Sequence, residues 1–118
     1  MSSRNKVPMS GDKKIKVQTN VVKRMLKEVS AYEKEVLENE KKVQKMRDDG
    51  KDEYDIKKQE EVLAESYMMV PDSKNRLEAA VQELQSCIDQ IESEDGIEEA
   101  SIVEAKSILN EASLKFQS

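Results

Sequence analysis

Six large aliphatic residues recur at intervals of seven along the middle of the chain, and this repeat most limits how the chain can fold. They are Ile56, Leu63, Val70, Leu77, Leu84 and Ile91. Because seven residues make two helical turns, such a spacing places all six on one stripe of one α-helix. An earlier series repeats the pattern, with Ile15, Val22, Val29, Val36 and Val43. Met25, Tyr32 and Met46 fall three residues after members of that series. The sequence therefore predicts two long helices that pack through an apolar seam.

Turn residues separate these helices and mark the start of a third one. Gly50 suits a left-handed C-terminal cap after the first series, and Asp52 is placed to cap the second helix. Further on, Asp95 with Glu98 three residues later resembles a capping box. The residues that follow keep a 3–4 spacing: Ile102, Ala105, Leu109, Ala112 and Phe116. The three predicted helices run from about 13–48, 53–92 and 97–116.

Pro71 lies in the middle of the second series. Proline lacks a backbone N–H and clashes with the preceding turn, so it either ends a helix or kinks it. The seven-residue phase runs unbroken from Val70 to Leu77, and no loop residues flank the proline. Since a turn shifts the phase, a kinked but continuous helix is favoured over two separate helices.

The composition favours an elongated shape over a thick core. Apolar residues make up 36% of the chain and aromatic residues 3%. Short connections make consecutive helices antiparallel neighbours, and a first helix of about 35 residues is about 50 Å long. The sequence thus predicts an all-α fold, an elongated antiparallel three-helix bundle (a rod) with a proline-kinked second helix, and no strand. The bundle takes up residues 13–118, and residues 1–12 form a flexible polar N-terminal tail.

Charge is distributed unevenly between the two ends of the chain. Residues 1–30 carry eight basic and two acidic side chains, whereas residues 84–118 carry two basic and eight acidic ones. We expect these opposite charges to lie near one another in the bundle, which favours the arrangement modestly. Nucleic-acid binding is not expected, because the net charge is -5 and the basic end has no interleaved aromatic residues and no arginine cluster.

The residue content argues against catalysis and against metal or cofactor binding. The chain has no histidine and one cysteine, so zinc and copper sites and nucleophile–base pairs are not expected. Its three glycines lie in the tail and turns, so there is no glycine-rich phosphate loop. Cys87 follows Leu84 by three residues and is expected to be a buried thiol. We predict no catalytic residues, no metal site and no cofactor.

The sequence also predicts the cellular compartment. No apolar run approaches the roughly 20 residues that a membrane span needs. Met1 to Gly11 has no apolar centre, so it is not a secretory signal. A single cysteine fits a reducing compartment. We therefore expect a cytoplasmic protein without a membrane partner.

Function must then come from surfaces, and Met68 is the first candidate. By helical phase it lies nearly opposite the seam, beside Pro71. Met68 and Met69 either repack locally at the kink or provide an adaptable apolar contact for a client protein. Tyr54 and Tyr67 leave the same two readings open, since tyrosine combines apolar area with a polar tip.

Several segments resemble the tubulin-binding cofactor A family. In the second helix they read YDIKKQEEVL at 54–63, ES at 65–66, MMVPD at 68–72 and RLEAA at 76–80. The first helix adds VVKR at 21–24 and YEKE at 32–35. The likeness covers about residues 13–115, and its two longest motifs are more specific than a generic coiled-coil match. The chain differs mainly in its longer polar N-terminus and in Tyr67, where relatives more often have Arg.

This resemblance implies both a fold and a role. The fold is a three-helix rod with a proline-kinked second helix, in agreement with the periodicity. The role is that of a cytosolic, cytoskeleton-associated tubulin-folding cofactor that captures β-tubulin folding intermediates on the pathway to the α/β-tubulin heterodimer. Such proteins use no nucleotide of their own, and other tubulin-folding cofactors are indirect partners.

The density of matching residues around Pro71 places the expected β-tubulin-binding surface on the outside of the second helix. The residues we expect to contribute are Tyr54, Lys57, Lys58, Glu61, Tyr67, Met68 and Arg76. Mixed charges with a few apolar anchors would make up this surface. The seam itself is taken up by the core of the protein.

Two other classes of function stay open at this point. One is a structural coiled-coil scaffold, whose strict heptads favour homodimers through the same seam. The other is a general helical holdase chaperone, although prefoldin-like subunits join their helices by β-hairpins and no hairpin sequence is present. The apolar seam can be satisfied within one chain or between chains, so both a monomer and a homodimer are compatible with the sequence.

Overall fold

The computed structural model describes residues 11–91 and 97–117, which form three α-helices. Helix α1 spans Gly11–Asp48, α2 spans Glu53–Ile91 and α3 spans Glu99–Ser113, followed by a short 3₁₀ turn at Leu114–Phe116. No strand occurs in either described range. The predicted all-α class and the three predicted helices are confirmed.

The first turn of α1 differs from the prediction. The helix begins at Gly11, so Gly11 and Asp12 belong to α1 and not to the predicted tail at 1–12. The reason is that Asp12 is anchored on both sides. Its carboxylate lies 3.0 Å from Lys16 Nζ one turn ahead, and it accepts a hydrogen bond of 3.2 Å from the backbone N–H of Glu98. Residues 1–10 of the predicted tail lie outside the described residues.

The connection between α1 and α2 follows the predicted turn chemistry. Gly50 has a φ of 67°, the left-handed value expected at a glycine C-terminal cap. Its N–H donates to the carbonyl of Arg47 at 3.1 Å, and the N–H of Lys51 donates to the carbonyl of Met46 at 2.9 Å. On the other side, Asp52 Oδ2 accepts a 3.0 Å hydrogen bond from the N–H of Tyr54. Both predicted caps are confirmed.

Helix α2 continues through Pro71 without a break. The choice of one continuous helix over two is therefore confirmed, while the kink itself stays a prediction. Because proline has no N–H, the carbonyl of Tyr67 cannot receive its usual helical hydrogen bond from residue 71. Ser73, two residues on, donates its hydroxyl to the carbonyl of Val70 at 2.8 Å, a side-chain bond of the kind that bends helices.

The predicted start and apolar face of α3 both need correction. Glu98 is itself the N-cap of α3, with extended backbone and no capping hydrogen bond from its side chain. It therefore does not occupy the third helical position that a capping box requires. Asp95, the predicted N-cap, lies outside the described residues. The N–H of Glu98 is satisfied instead by Asp12 of α1. The buried face is Ser101, Ala105, Ile108 and Ala112. Of the predicted face, Ile102 and Leu109 are only half-buried, because the residues directly before them, Ser101 and Ile108, are the buried ones. Phe116 is exposed.

The chain divides into two compact units. Unit 1 combines the start of α1 up to Arg24 with the chain from Glu78 onwards, and thus contains α3. Unit 2 consists of residues 25–77, which form a hairpin of the remaining parts of α1 and α2. Both long helices contribute to both units.

Unit 1 has a three-helix core. Each helix supplies fully buried apolar side chains, for example Ile15 from α1, Leu84 from α2 and Ala105 from α3. Cys87 is buried here as predicted. Thr19 is also buried, and an apolar repeat could not predict this because threonine is polar.

Ion pairs join α1 to α3 in unit 1. Lys23 Nζ lies 3.0 Å from Glu104 Oε2, and Lys16 Nζ lies 3.8 Å from Glu98 Oε2. Both partners advance together along the chain, so the two helices run parallel. The predicted proximity of the basic and acidic ends is confirmed in these pairs.

Unit 2 is an antiparallel hairpin with a thinner core. Val29, Val36 and Ile56 are buried as predicted, but Leu63 and Val70 of the second series are only half-buried. The neighbouring seam positions on α2 are taken up by two buried serines, Ser66 and Ser73. On α1, Leu26 is also buried, although the sequence did not predict it. With two helices instead of three, Leu63 and Val70 keep one side exposed.

Candidate functional site

The seven residues expected to bind a partner all lie on the α2 part of unit 2. Six of them fall within about 100° of the helix circumference at about 100° per residue, on the side away from the seam. These six, called the outer face below, are Tyr54, Lys57, Lys58, Glu61, Met68 and Arg76, all of which are exposed. The structure therefore brings six of the seven predicted residues together on one surface.

The outer face combines two apolar anchors with mixed charge. Met68 is the most exposed large apolar side chain among the described residues at 70%, and Tyr54 follows at 64%. The two are 14 residues apart on the helix, about 21 Å at 1.5 Å per residue. Lys58 Nζ lies 4.9 Å from the centroid of the Tyr54 ring, a cation–π contact that orients both side chains.

Arg76 has a structural role besides its place on the outer face. Its Nη1 lies 3.2 Å from Asp72 on the same helix, and its Nη2 lies 3.5 Å from Glu28 on α1. The guanidinium therefore connects the two helices of unit 2. Because all three side chains are substantially exposed, the net contribution of these ion pairs to stability is small.

Tyr67 does not belong to the outer face. It projects toward α1, where its hydroxyl donates a hydrogen bond to the carboxylate of Glu40. That hydrogen bond, together with partial burial and the nearby negative charge, raises the pKa of Tyr67 above its usual value. Tyr67 is 48% exposed, but it lies on a second surface, apart from the other six residues expected to bind the partner.

This second surface is an open groove of about 520 Å³ in unit 2. It is lined by Glu33, Val36 and Leu37 from α1 and by Tyr67, Val70 and Pro71 from α2. Leu37 is 57% exposed and adds apolar surface to the α1 side of the groove. The groove is called the α1/α2 groove below.

The α1 side of this groove was not predicted from the sequence. Glu33 and Leu37 each lie next to a residue of the predicted seam, and the seven-residue repeat assigns neither of them a role. One signal was available, since Leu37 directly follows Val36 and so widens the apolar stripe of α1 at this point. A wider stripe is typical of a helix that packs against two neighbours.

Polar contacts hold the rest of the hairpin of unit 2 together. Arg47 and Glu60 form an ion pair between α1 and α2 near the turn. Gln59 Nε2 donates to Asn39 Oδ1 at 3.4 Å, while the buried Asn39 Nδ2 has no hydrogen-bond partner. An incompletely satisfied polar pair at the seam costs stability but fixes the register of two helices.

The described residues offer no group of three or more His, Cys, Asp or Glu side chains that could hold a metal ion. Burial raises the pKa of the Cys87 thiol, which disfavours its reactive thiolate form. In the described ranges, no helix combines the length and the apolar character needed to cross a membrane. The candidate surfaces for a partner are the outer face and the α1/α2 groove.

Comparisons with known proteins give a consistent result. Residues 11–109 match the sequence profile of a family described as Tubulin binding cofactor A. Human Tubulin-specific chaperone A is 46% identical over 104 residues, which cover 87% of this chain and 94% of the human protein. Tubulin-folding cofactor A of Arabidopsis thaliana is 40% identical over 108 residues, covering 92% and 96% of the two chains. The crystal structure of the Arabidopsis thaliana cofactor superposes with a TM-score of 0.82 at 39% identity and covers 91% of this chain and 99% of that one.

Proposed function

This chain belongs to the tubulin binding cofactor A family, and on that basis we propose that it is a tubulin-folding cofactor that captures and stabilises β-tubulin folding intermediates on the pathway to the α/β-tubulin heterodimer. The observation that carries the proposal is the family match, which spans residues 11–109 and thus includes all of α1 and α2 and most of α3. The proposed role needs neither catalysis nor a cofactor. The protein acts in the cytoplasm, in association with the cytoskeleton, and other tubulin-folding cofactors are its indirect partners.

We propose that the outer face of α2 is one contact surface for the client. Met68 and Tyr54 supply the apolar anchors, because large exposed side chains of this kind contribute most to binding when a partner covers them. The surrounding charges of both signs favour a partner with a mixed charge pattern and raise the association rate more than the affinity. A folding intermediate exposes apolar surface, which such anchors can cover reversibly.

Co-purification with freshly translated β-tubulin tests the function. The tagged chain is added to separate translations of β-tubulin, α-tubulin and actin, and bound labelled protein is measured after native purification. We expect selective recovery of β-tubulin. Equal recovery of all three clients indicates a general holdase, and recovery of none contradicts a chaperone role.

Charge reversal tests the outer face separately. We expect the double variant Lys57→Glu and Lys58→Glu to weaken capture, since it removes the cation–π contact with Tyr54 and inverts the local charge. Lys41→Glu with Lys42→Glu is the matched control, because these two lysines are also adjacent and exposed but lie on α1. If the first pair leaves capture intact while helix content is unchanged, Lys57 and Lys58 are not part of the site.

A further inference from the structure

We propose that the outer face of α2 has a charge order that selects one orientation of the client: an acidic residue of the bound client segment faces the Tyr54 end, and a basic residue faces the Met68 end. The inference rests on the proposed client-binding function and deepens it, because it assigns Glu65 to the contact surface and states which charge of the client lies at which end. The order of the side chains along α2, and the contacts that some of them lack, support it.

Two adjacent rows of exposed side chains run along this side of α2. Residues seven apart lie on one face of a helix, and residues four apart are neighbours. The rows are Tyr54, Glu61 and Met68, and beside them Lys58, Glu65 and Asp72. Both rows therefore change from an aromatic or basic residue at the start of the helix to carboxylates and methionine further on.

The Tyr54 end of these rows is basic. Lys57 and Lys58 follow Tyr54 by three and four residues, which places both beside it on the helix surface. Lys58 contacts the ring, since its Nζ lies 4.9 Å from the ring centroid. Lys57 forms no hydrogen bond or ion pair with another residue that the structure describes. The positive charge at this end thus has no ion-pair partner among the described residues.

The Met68 end is acidic. Glu65 precedes Met68 by three residues and Asp72 follows it by four, so the two carboxylates flank the methionine. Asp72 is paired with Arg76 at 3.2 Å, which balances its charge. Glu65 has no hydrogen bond or ion pair within the described ranges, and neither has Glu61, one turn earlier. Met68, which is 70% exposed, therefore lies beside carboxylates that a partner can pair with.

Glu65 in particular has no basic neighbour on its own helix. The residues three and four positions away from it are Glu61, Val62, Met68 and Met69. Glu61 and Glu65 are themselves four apart, and like charges at that spacing destabilise a helix slightly. The internal contacts of α2 therefore do not account for a carboxylate at position 65. A lysine or arginine supplied by a partner pairs with Glu65 and relieves this repulsion.

These positions define the client segment that fits. Lys58 and Glu65 are seven residues apart, about 10 Å along the helix axis, and the anchors Tyr54 and Met68 are about 21 Å apart. The matching segment has an apolar residue at each end, an Asp or Glu near the one that covers Tyr54, and a Lys or Arg near the one that covers Met68. In the opposite orientation like charges meet, which costs binding free energy.

An exchange of charges tests the order without altering the net charge. The variant carries Lys57→Glu, Lys58→Glu, Glu61→Lys and Glu65→Lys. We expect about tenfold lower capture of freshly translated β-tubulin, because each end then meets a like charge. Helix content should not fall, since the exchange puts an acidic residue four positions before a basic one, the favourable order in a helix.

The matched control makes the same exchange on α1. It carries Glu35→Lys, Glu38→Lys, Lys41→Glu and Lys42→Glu, at four exposed positions away from the outer face. We expect its capture to stay within about twofold of that of the unaltered protein. Circular dichroism of both variants checks that helix content is unchanged.

A second pair of variants isolates the acidic end. Glu61→Lys with Glu65→Lys leaves the contact between Lys58 and Tyr54 in place, and Glu61→Gln with Glu65→Gln removes the two charges without reversing them. We expect the glutamine variant to weaken capture and the lysine variant to weaken it further. The difference between the two should shrink at about 1 M salt, where charges are screened beyond about 3 Å. Capture by both variants at the level of the unaltered protein contradicts an electrostatic contact at this end.

The outcomes separate the charge order from the function. If the unaltered protein captures β-tubulin and the exchange variant captures it equally well, the charge order is wrong and the function stands. If the α1 control loses as much capture as the exchange variant, the effect is a general one and the charge order is also wrong. If the unaltered protein captures no tubulin, the function fails and the charge order fails with it.

Crosslinking reports the orientation directly and leaves all four charges in place. Benzoylphenylalanine, a photo-crosslinking residue, replaces Tyr54 in one variant and Ala64, an exposed residue four positions before Met68, in another. We expect adducts with one β-tubulin segment, in which the peptide joined at position 54 carries Asp or Glu and the peptide joined at position 64 carries Lys or Arg. The opposite order, or no adduct at either position, overturns the proposal.

Discussion

The hydroxyl of Tyr67 on α2 donates a hydrogen bond to the carboxylate of Glu40 on α1, and this bond joins the two helices beside the α1/α2 groove. It raises the pKa of Tyr67 above the usual value of 10.0, because the acceptor holds the phenolic proton. The link between the two helices is therefore made by a neutral phenol donor and a carboxylate acceptor.

We expect the Tyr67 link to be sensitive to alkaline pH. A group with a raised folded-state pKa contributes stability that is fully present below about pH 10 and is lost as the pH rises through the folded value. Ultraviolet titration of tyrosinate absorbance, compared with the variant Tyr67→Phe, measures this pKa. The difference spectrum should show one tyrosine titrating later than a free phenol, and an ordinary pKa contradicts the hydrogen bond.

Two variants of Tyr67 separate the hydrogen bond to Glu40 from the packing of the ring: Tyr67→Phe removes the donor, and Tyr67→Arg supplies a different one. We expect Tyr67→Phe to lower the melting temperature by a few degrees at most, since the site is half exposed. Tyr67→Arg should restore pairing with Glu40 and return the melting temperature toward that of the unaltered protein. Equal losses in both variants indicate that the ring matters and that the hydrogen bond does not.

Leu77 should be among the most costly residues to truncate. It is fully buried, and Leu77→Ala is expected to destabilise the chain by about 2–5 kcal/mol because it removes apolar contacts and leaves a cavity. Val62→Ala, on the exposed surface of the same helix, is expected to stay within about 0.5 kcal/mol. Chemical denaturation followed by circular dichroism measures both values. Similar losses in the two variants contradict the assigned core.

Substitution of Gly50 should lower stability because of its backbone conformation and not because of a steric clash. A Cβ atom added there meets nothing within 4 Å, but the φ of 67° is unfavourable for an L-amino acid. Gly50→Ala is therefore expected to cost about 1–2 kcal/mol. Gly50→Asn should cost less, because asparagine tolerates the left-handed conformation better than alanine. Denaturation midpoints measure the order, and an Asn variant less stable than the Ala variant contradicts this explanation.

Asp12 should make the attachment of α3 sensitive to acid. Its hydrogen bond with Lys16, supported by Ser101 and by the N–H of Glu98, lowers the pKa of its carboxyl group below 3.8. The stabilisation is therefore present above pH 3.8 and is lost as the pH falls through the lowered pKa. Hydrogen exchange of the α3 amides should accelerate in that range.

Two substitutions check the role of Asp12. Asp12→Asn should accelerate exchange in α3 already at neutral pH and make it less dependent on acid. Asp49→Asn is the control, since Asp49 forms an ion pair of the same kind with Lys45 in unit 2. The explanation fails if both variants exchange like the unaltered protein.

Cys87 should react slowly with thiol reagents. Burial raises the pKa of its thiol and also blocks access, so reaction requires opening of unit 1. We expect labelling on the order of 100-fold slower in the native protein than in denaturant. Ser107→Cys in a Cys87→Ala background places the thiol on the exposed face of α3 and should react rapidly. Fast labelling of native Cys87 contradicts its place in the core.

The seven-residue repeat was sufficient to predict the helices and much of the core. Val22, Val29 and Leu84 are buried because position a faces a neighbouring helix wherever a heptad repeat packs. The turn at Gly50 was equally predictable, since a left-handed cap needs a residue without a Cβ atom. These features depend on local chemistry that a single helix or turn carries by itself.

Other features depend on how many helices surround a residue, and a local sequence pattern does not reveal that number. Val70 has the same heptad position as Leu84, yet it is half-buried because unit 2 has two helices and unit 1 has three. The cap of α3 was mispredicted because its donor is satisfied by Asp12, 86 residues earlier in the chain. For the same reason the outer face was predictable from one helix, while the α1/α2 groove required the pairing of two.

The division of the chain into units has a consequence for biosynthesis. Residues 25–77 are contiguous, so all residues of unit 2 are available to pack together once that segment has left the ribosome. Unit 1 is discontinuous, and Ile15 and Val22 remain incompletely covered until α3 has been made, after α1 and α2. At about 5–20 residues per second, the start of α1 stays uncovered for several seconds after it emerges. The protein therefore exposes apolar residues of its own first helix while the next two helices are being synthesised.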